Sequence, residues 1–261
     1  MTTDAISSRA PTPDERNRWQ RDGFVPLPGL FPRNAVTEVE RLLDGLYIAH
    51  QAARPDDWTQ QRDGQATSVE ILRTTEREPR LLFTEVYRRC ECFASQLLNM
   101  PVECVFEHVI RKPGGVGTGT FWHQDCYYEK VEPWRCKHRV HFWIPMADVA
   151  LHGGAMRYVP NTHGGQRYPH DTIPGERNTH YVMASGFDQS TAVDVPIQAG
   201  GAIAHHPHLL HASGPNTSPE VRTAWILQFA RPRTVTQQLY FRALGLKARA
   251  LGQLNLNPAA D

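Results

Sequence analysis

Several things are scarce in this 261-residue chain, and each scarcity excludes a class of protein. Excess charge of one sign is missing: 28 Lys and Arg stand against 27 Asp and Glu, for a formal net charge of +1. That balance argues against a basic nucleic-acid-binding surface. An acidic, disordered chain is excluded as well, because 40% of the residues are hydrophobic and 9% aromatic. Long apolar runs are missing too, and none approaches the ~20 residues that cross a bilayer. The opening residues Met1–Ile6 have neither the basic nor the apolar stretch of a secretory signal. Cysteine is sparse, odd in number and scattered, at 90, 92, 104, 126 and 136. Such a set reads as reduced thiols, not as a disulfide framework or a zinc ribbon. The expectation is a cytoplasmic protein with no nucleic-acid or membrane partner.

What is present divides into a helical beginning and a β-rich remainder, with no repeats. Residues 1–13 read as a loose tail. A short helix is expected over 13–22, stopped near Gly23, and an extended segment over 24–31, where Pro26 and Pro28 forbid a helix interior. Val36, Val39, Leu43, Leu46 and Tyr47 fall at three- and four-residue steps and predict an amphipathic helix over 34–50. Residues 51–67 are polar and read as a loop. Thr84 can cap a second helix whose stripe is Val86, Cys90, Phe93 and Leu97. Strands are expected near 103–112, 138–146, 154–160, 191–198, 201–206 and 222–230, and a closing helix over 234–251. Short strands spaced by turns suggest a sandwich or jelly roll rather than βα units. Residues 14–261 then form one domain, with a core at about 101–232.

Three features carry chemistry. His123 and Asp125 lie two residues apart, so on a strand end they point the same way and can meet one cation. Composition alone accounts for one such pair, so a satisfied histidine is an equal reading. His205, His206, His208 and His211 form a histidine-rich tract that suits a metal without saying which member binds it. Arg222 opens a strand whose same face continues Ala224, Ile226, Gln228 and Ala230. A guanidinium on such a face needs an anion or must snorkel out, and its planar fork suits a carboxylate. Two histidines and one carboxylate form the facial triad of non-haem iron oxygenases, and an arginine could anchor a keto-acid co-substrate. Tyr127, Tyr128 and Trp134 follow the His-x-Asp pair in an irregular stretch and are candidates for substrate contact, although β-sheet core is the ordinary reading for most such aromatics. Arg135, Lys137 and Arg139 nearby leave an anionic substrate open, with a solvated basic loop the simpler reading. Cys126 reads as a packing residue.

These stretches resemble the phytanoyl-CoA dioxygenase (PhyH) family of Fe(II)/2-oxoglutarate-dependent oxygenases. The resemblance runs in order through Asp22–Phe31, Arg111–Gly115, Trp122–Asp125, Trp143–Asp148, Gly153–His163 and His211–Asn216, and then Arg222. It implies a mainly β fold with flanking helices, a double-stranded β-helix (jelly-roll, cupin-like) core. It selects His211 from the histidine tract, and makes His123, Asp125 and His211 the iron ligands and catalytic centre. It also implies that Arg222 holds the far carboxylate of 2-oxoglutarate, with Ser213 beside it, Trp143 shaping that pocket and His108 as a further, less usual contact. Fe(II), 2-oxoglutarate and O₂ are the implied cofactor and co-substrates. The implied activity is oxidation of a C–H bond of a small organic molecule, with hydroxylation first and desaturation, cyclisation or epimerisation as other outcomes. A role in bacterial specialised metabolism is the corresponding expectation. Halogenation is disfavoured, because the ligand carboxylate Asp125 is present. Two alternatives stay open: a non-catalytic metal-binding jelly roll, and a Zn²⁺-dependent hydrolase or isomerase. Arg222 speaks against the latter, which needs no keto-acid anchor.

Overall fold

The computed structural model describes residues 9–49, 58–62, 64–128, 133–173 and 182–239. Four α-helices lie wholly among them: α1 Pro13–Asp22, α2 Arg33–Ala49, α3 Thr74–Arg77 and α4 Glu85–Leu98. The strands are β1 Phe24–Leu27, β2 Trp58–Arg62, β3 Gln65–Leu72, β4 Glu103–Lys112, β5 Thr120–His123, β6 Arg139–Pro145 and β7 Met156–Tyr158. They continue with β8 His170–Thr172, β9 Val182–Ala184, β10 Val193–Val195, β11 Ala202–His205, β12 His211–Ser213 and β13 Arg222–Ala230. Seven strands form one antiparallel sheet in the order β1-β11-β6-β13-β4-β3-β2, and four form a second in the order β10-β7-β12-β5. The two sheets face one another as a jelly roll, with β8 and β9 as a separate hairpin.

Strand alternation sorts the side chains of the large sheet into two populations. On β13, Trp225, Leu227 and Phe229 join the core under α2 and α4, where they meet Val39, Leu43 and Phe93. Arg222, Ile226 and Gln228, the alternate residues, line the space between the sheets. On β6, Val140, Phe142 and Ile144 belong to the outer core, whereas His141 and Trp143 face inward. The helices thus exist to cover one face of a sheet whose other face is the pocket.

The helical expectations hold with small boundary shifts. Thr12 and Glu15 form a capping box for α1, and the Thr84 hydroxyl accepts from the Tyr87 amide at the start of α4. The loop expected over 51–67 is a correction: β2 and the first part of β3 occupy its described portion. β2 is the edge strand of the large sheet, and Thr59 and Gln61 are exposed on it. Of the tail, residues 1–8 lie outside the described residues, while Arg9 is paired with Glu15 at 2.7 Å. The closing helix begins after Thr234, and most of its expected span lies outside the described residues. Among the described residues, no helix is long and apolar enough to cross a membrane.

Candidate active site

The iron-type cluster grows from one register. β5 pairs with β12 so that His123 and His211 are direct partners, which sets their rings 4.2 Å apart. Asp125 follows in the turn Asp125–Tyr127, fixed by the Cys126 amide donating to the Pro207 carbonyl at 3.0 Å. Between them Gln124 is fully buried and points the other way. Its side chain donates to the carbonyls of Gln166 and His208 and accepts from the Tyr168 amide, fastening three loops. His123 Nε2 lies 3.4 Å from Asp125 Oδ1, and His211 Nε2 lies 3.5 Å from Asp125 Oδ2.

Both imidazoles are oriented from behind. His123 Nδ1 donates to the Phe121 carbonyl at 2.8 Å, and His211 Nδ1 to the Leu209 carbonyl at 2.9 Å. Each Nδ1–H is therefore engaged, and each Nε2 is turned toward Asp125. Burial pushes His211 well below the usual histidine range, so it is neutral. Burial also opposes the charge on Asp125, but the surrounding imidazoles hold it well below the usual carboxylate range. Two imidazoles and one carboxylate, with one ligand atom from each within 4.8 Å of the others, make a donor set suited to a divalent transition metal.

Two further histidines face the same carboxylate and were not assigned to it from the sequence. His141 Nδ1 lies 2.7 Å from Asp125 Oδ2, and His205 Nε2 lies 3.3 Å from the same oxygen. They sit on neighbouring strands of the large sheet, as Cα partners. His205 Nδ1 also meets the Tyr158 hydroxyl at 3.3 Å. Burial lowers His141 to about 4, so it serves as a neutral donor. Strand alternation could have marked His141 as inward-facing, since Val140 and Phe142 flank it.

At the other end of the pocket stands Arg222, 4% exposed. Its ring of contacts is thin: the Gly154 carbonyl at 3.4 Å, the Ser213 hydroxyl at 3.5 Å, and the Trp143 ring with the guanidinium carbon 5.2 Å from the centroid. Arg222 Nε and Nη1 are buried with no hydrogen-bond partner. Burial pushes its guanidinium down to about 10. Gly154 lies against the turn after Ser213: its φ is +79°, and a Cβ there would lie 3.0 Å from the Gly214 carbonyl oxygen. Asn216 fastens the turn after Ser213, donating to the carbonyls of Lys112, Pro113 and Glu220. His108 lines the pocket, 3.6 Å from Glu70, and burial pushes it down to about 3.

The pocket thus unites His123, Asp125, His211, Arg222 and Ser213, with Trp143 and His108 on its walls. Tyr128 lines it too, edge-on to His123. Tyr127 is not in its lining and stacks on His170 instead, 4.4 Å between centroids. Trp134 lies in the turn Pro133–His138, and its side chain is outside the described residues. His206 and His208 pack away from the cluster, His206 against Trp19 and His163. The solvated basic loop is a correction: Arg135 and Arg139 are buried and line the pocket, Arg135 being paired with Glu103 at 2.7 Å. Lys137 alone of the three is exposed. Cys126 is buried packing.

Comparison with known proteins bears on this geometry. The chain is 23% identical over 250 residues to an L-proline trans-4-hydroxylase of Streptomyces griseoviridis, covering 87% of this chain and 89% of the relative. The structure of EvdO2 from Micromonospora carbonacea var. aurantiaca superposes with a TM-score of 0.72 at 27% identity, over 86% of this chain and 93% of that one. The epimerase SnoN, solved with Fe³⁺, α-ketoglutarate and nogalamycin RO, matches at a TM-score of 0.65 and 20% identity, over 83% and 82% of the two chains, and so shares the fold. The family model for phytanoyl-CoA dioxygenase (PhyH) matches residues 19–224, a span that runs from α1 through the histidine–carboxylate cluster to Arg222. With fold, donor set and family model in agreement, the chain belongs to the phytanoyl-CoA dioxygenase (PhyH) family of non-haem Fe(II)/2-oxoglutarate-dependent oxygenases.

Proposed function

We propose that His123, Asp125 and His211 hold the iron, that Arg222 and Ser213 anchor 2-oxoglutarate, and that the remaining pocket takes a small organic molecule for C–H oxidation. The observation that supports this most is the continuity of one pocket from the three converging donor atoms to a buried, underpartnered guanidinium. When bound, Fe(II) with 2-oxoglutarate and O₂ supplies the oxidising power that removes hydrogen from a substrate carbon. The chain supplies position. His123 and His211 present Nε2, His141 and His205 steady the Asp125 carboxylate, and Arg222 fixes the far end of the keto acid against Trp143. His108 on β4 and Tyr128 beside His123 border the space left for substrate.

Hydroxylation is the first expected outcome. The relatives include a hydroxylase and an epimerase, so the fate of the activated substrate is set by how it is held. The nogalamycin biosynthesis enzymes among the structural neighbours support a role in specialised metabolism. Five free thiols, three of them buried, support a cytoplasmic setting. The test is anaerobic addition of 2-oxoglutarate to the Fe(II)-loaded protein. A visible charge-transfer band should appear, and succinate release should then identify the substrate in a panel of small molecules. Absence of the band would return the metal-binding module or the Zn²⁺ hydrolase to the lead.

A further inference from the structure

Arg222 is not alone at its end of the pocket. The β13–β4 register makes Lys112 its direct Cα partner, so two cations stand side by side on adjacent strands. Lys112 is 2% exposed and Arg222 4%. Like charges directly opposite one another are destabilising in a sheet, and burial raises the cost. Burial and the neighbouring Arg222 both push Lys112 well below the usual lysine range, and Glu70, which pulls the other way, is outweighed. An anion lying between the two cations would relieve that cost.

The hydroxyls in between show how Lys112 would act. Its Nζ donates to Ser213 Oγ at 2.8 Å and to Thr120 Oγ1 at 3.0 Å. Both oxygens accept from Nζ, as they must from an ammonium, the form that a carboxylate beside Arg222 would favour. Ser213 in turn donates to Thr120 at 3.1 Å. The Thr120 proton is then the one left to point at an occupant, and Thr120, Ser213 and Arg222 all line the pocket. Lys112 itself lies beneath them.

We propose that Lys112 is a second cation of the co-substrate anchor. It acts through Ser213 and Thr120, polarising the Thr120 hydroxyl toward a carboxylate held by Arg222, and it biases the site toward keto acids that carry a second carboxylate. This rests on the reading of Arg222 as the keto-acid anchor. Lys112 is a positioning residue, and Thr120 is the contact it directs.

The experiment compares equilibrium binding of 2-oxoglutarate and of 2-oxopentanoate, which has the same length without the far carboxylate. Both are titrated anaerobically into Fe(II)-loaded protein and followed by calorimetry, with no turnover required. The wild type should prefer 2-oxoglutarate strongly. Lys112→Met should lose about tenfold of that preference, the scale of a hydrogen bond to a charged group, with 2-oxopentanoate binding unchanged. A wild type without preference would sink the Arg222 reading itself. An undiminished preference in Lys112→Met, or equal weakening of both keto acids, would overturn the role of Lys112 while leaving Arg222 in place. If Lys112→Met does not fold, Thr120→Val decides by the same ratio: a reduced preference supports the proposal and an intact one overturns it.

Discussion

The two ends of the pocket are built on opposite principles. At the end proposed to hold iron the polar atoms around Asp125 are committed in advance, with Nδ1 of His123 and His211 donating to carbonyls and His141 and His205 turned to the carboxylate. At the anchor end Arg222 keeps two buried nitrogens without partners beside a buried lysine. One end is a finished set of donors with a single negative charge. The other gathers two buried basic side chains, Arg222 and Lys112. The difference teaches where ligand selection resides: the first end discriminates by geometry, the second by charge.

Removing the geometry should have the largest effect. His211→Ala or Asp125→Ala should abolish Fe(II) binding and turnover, whereas His208→Ala should leave both intact, as metal titration would show. Equal loss in His208→Ala would break the assignment of His211. Removing the charge comes next. Arg222→Ala should raise the KM for 2-oxoglutarate by roughly 30- to several-thousand-fold, from the ~2–5 kcal/mol cost of breaking a desolvated charge pair, with iron affinity spared. If iron affinity fell in parallel, the two ends would not be separable.

Acid should erase the contrast by making both ends cationic. His108 and His141 are held by burial at about 3 and about 4, against an unfolded value near 6.5. Between those values the unfolded chain binds more protons than the folded one, so stability rises with pH there and falls as pH drops from about 6.5 toward 4. For the metal-free protein, Tm measured across that range should decline, by the equivalent of a few kcal/mol in all. A flat profile would mean that these histidines are already charged in the fold. The smallest effect is expected at the second tier of the iron end. His141→Phe should weaken metal binding by about 10- to 100-fold, as loss of an outer hydrogen-bond partner does, while leaving discrimination between keto acids unchanged.

The sequence was most readable where one strand presented two clear faces. Arg222, Ala224, Ile226 and Gln228 announced an inward row on β13, and His123 with Asp125 announced a shared direction. Helices α2 and α4 were legible from their apolar stripes and from Thr84. Other parts were not readable for specific reasons. β5 and β12 span four and three residues, too short for alternation to register. The edge hairpin β2–β3 is polar because much of it meets water. His141 and His205 lie far apart in sequence from Asp125, and only the order of strands in the large sheet brings them to it. Lys112 looks like any lysine closing a strand; its burial depends on the turn that Asn216 fastens above it.

The even–odd split of β13 and its neighbours also has a meaning for change over time. The residues that hold the helices and those that meet the ligand interleave along the chain but occupy opposite faces. Substitutions at Ile226, Gln228 or His108 can therefore remodel the cavity while Trp225, Leu227 and Phe229 keep the scaffold folded. A single inserted residue in that strand would exchange the two sets and lose both at once. Variation by replacement is inexpensive here and variation by insertion is not, so a directed-evolution library for new substrates should diversify alternate positions and leave the strand lengths alone.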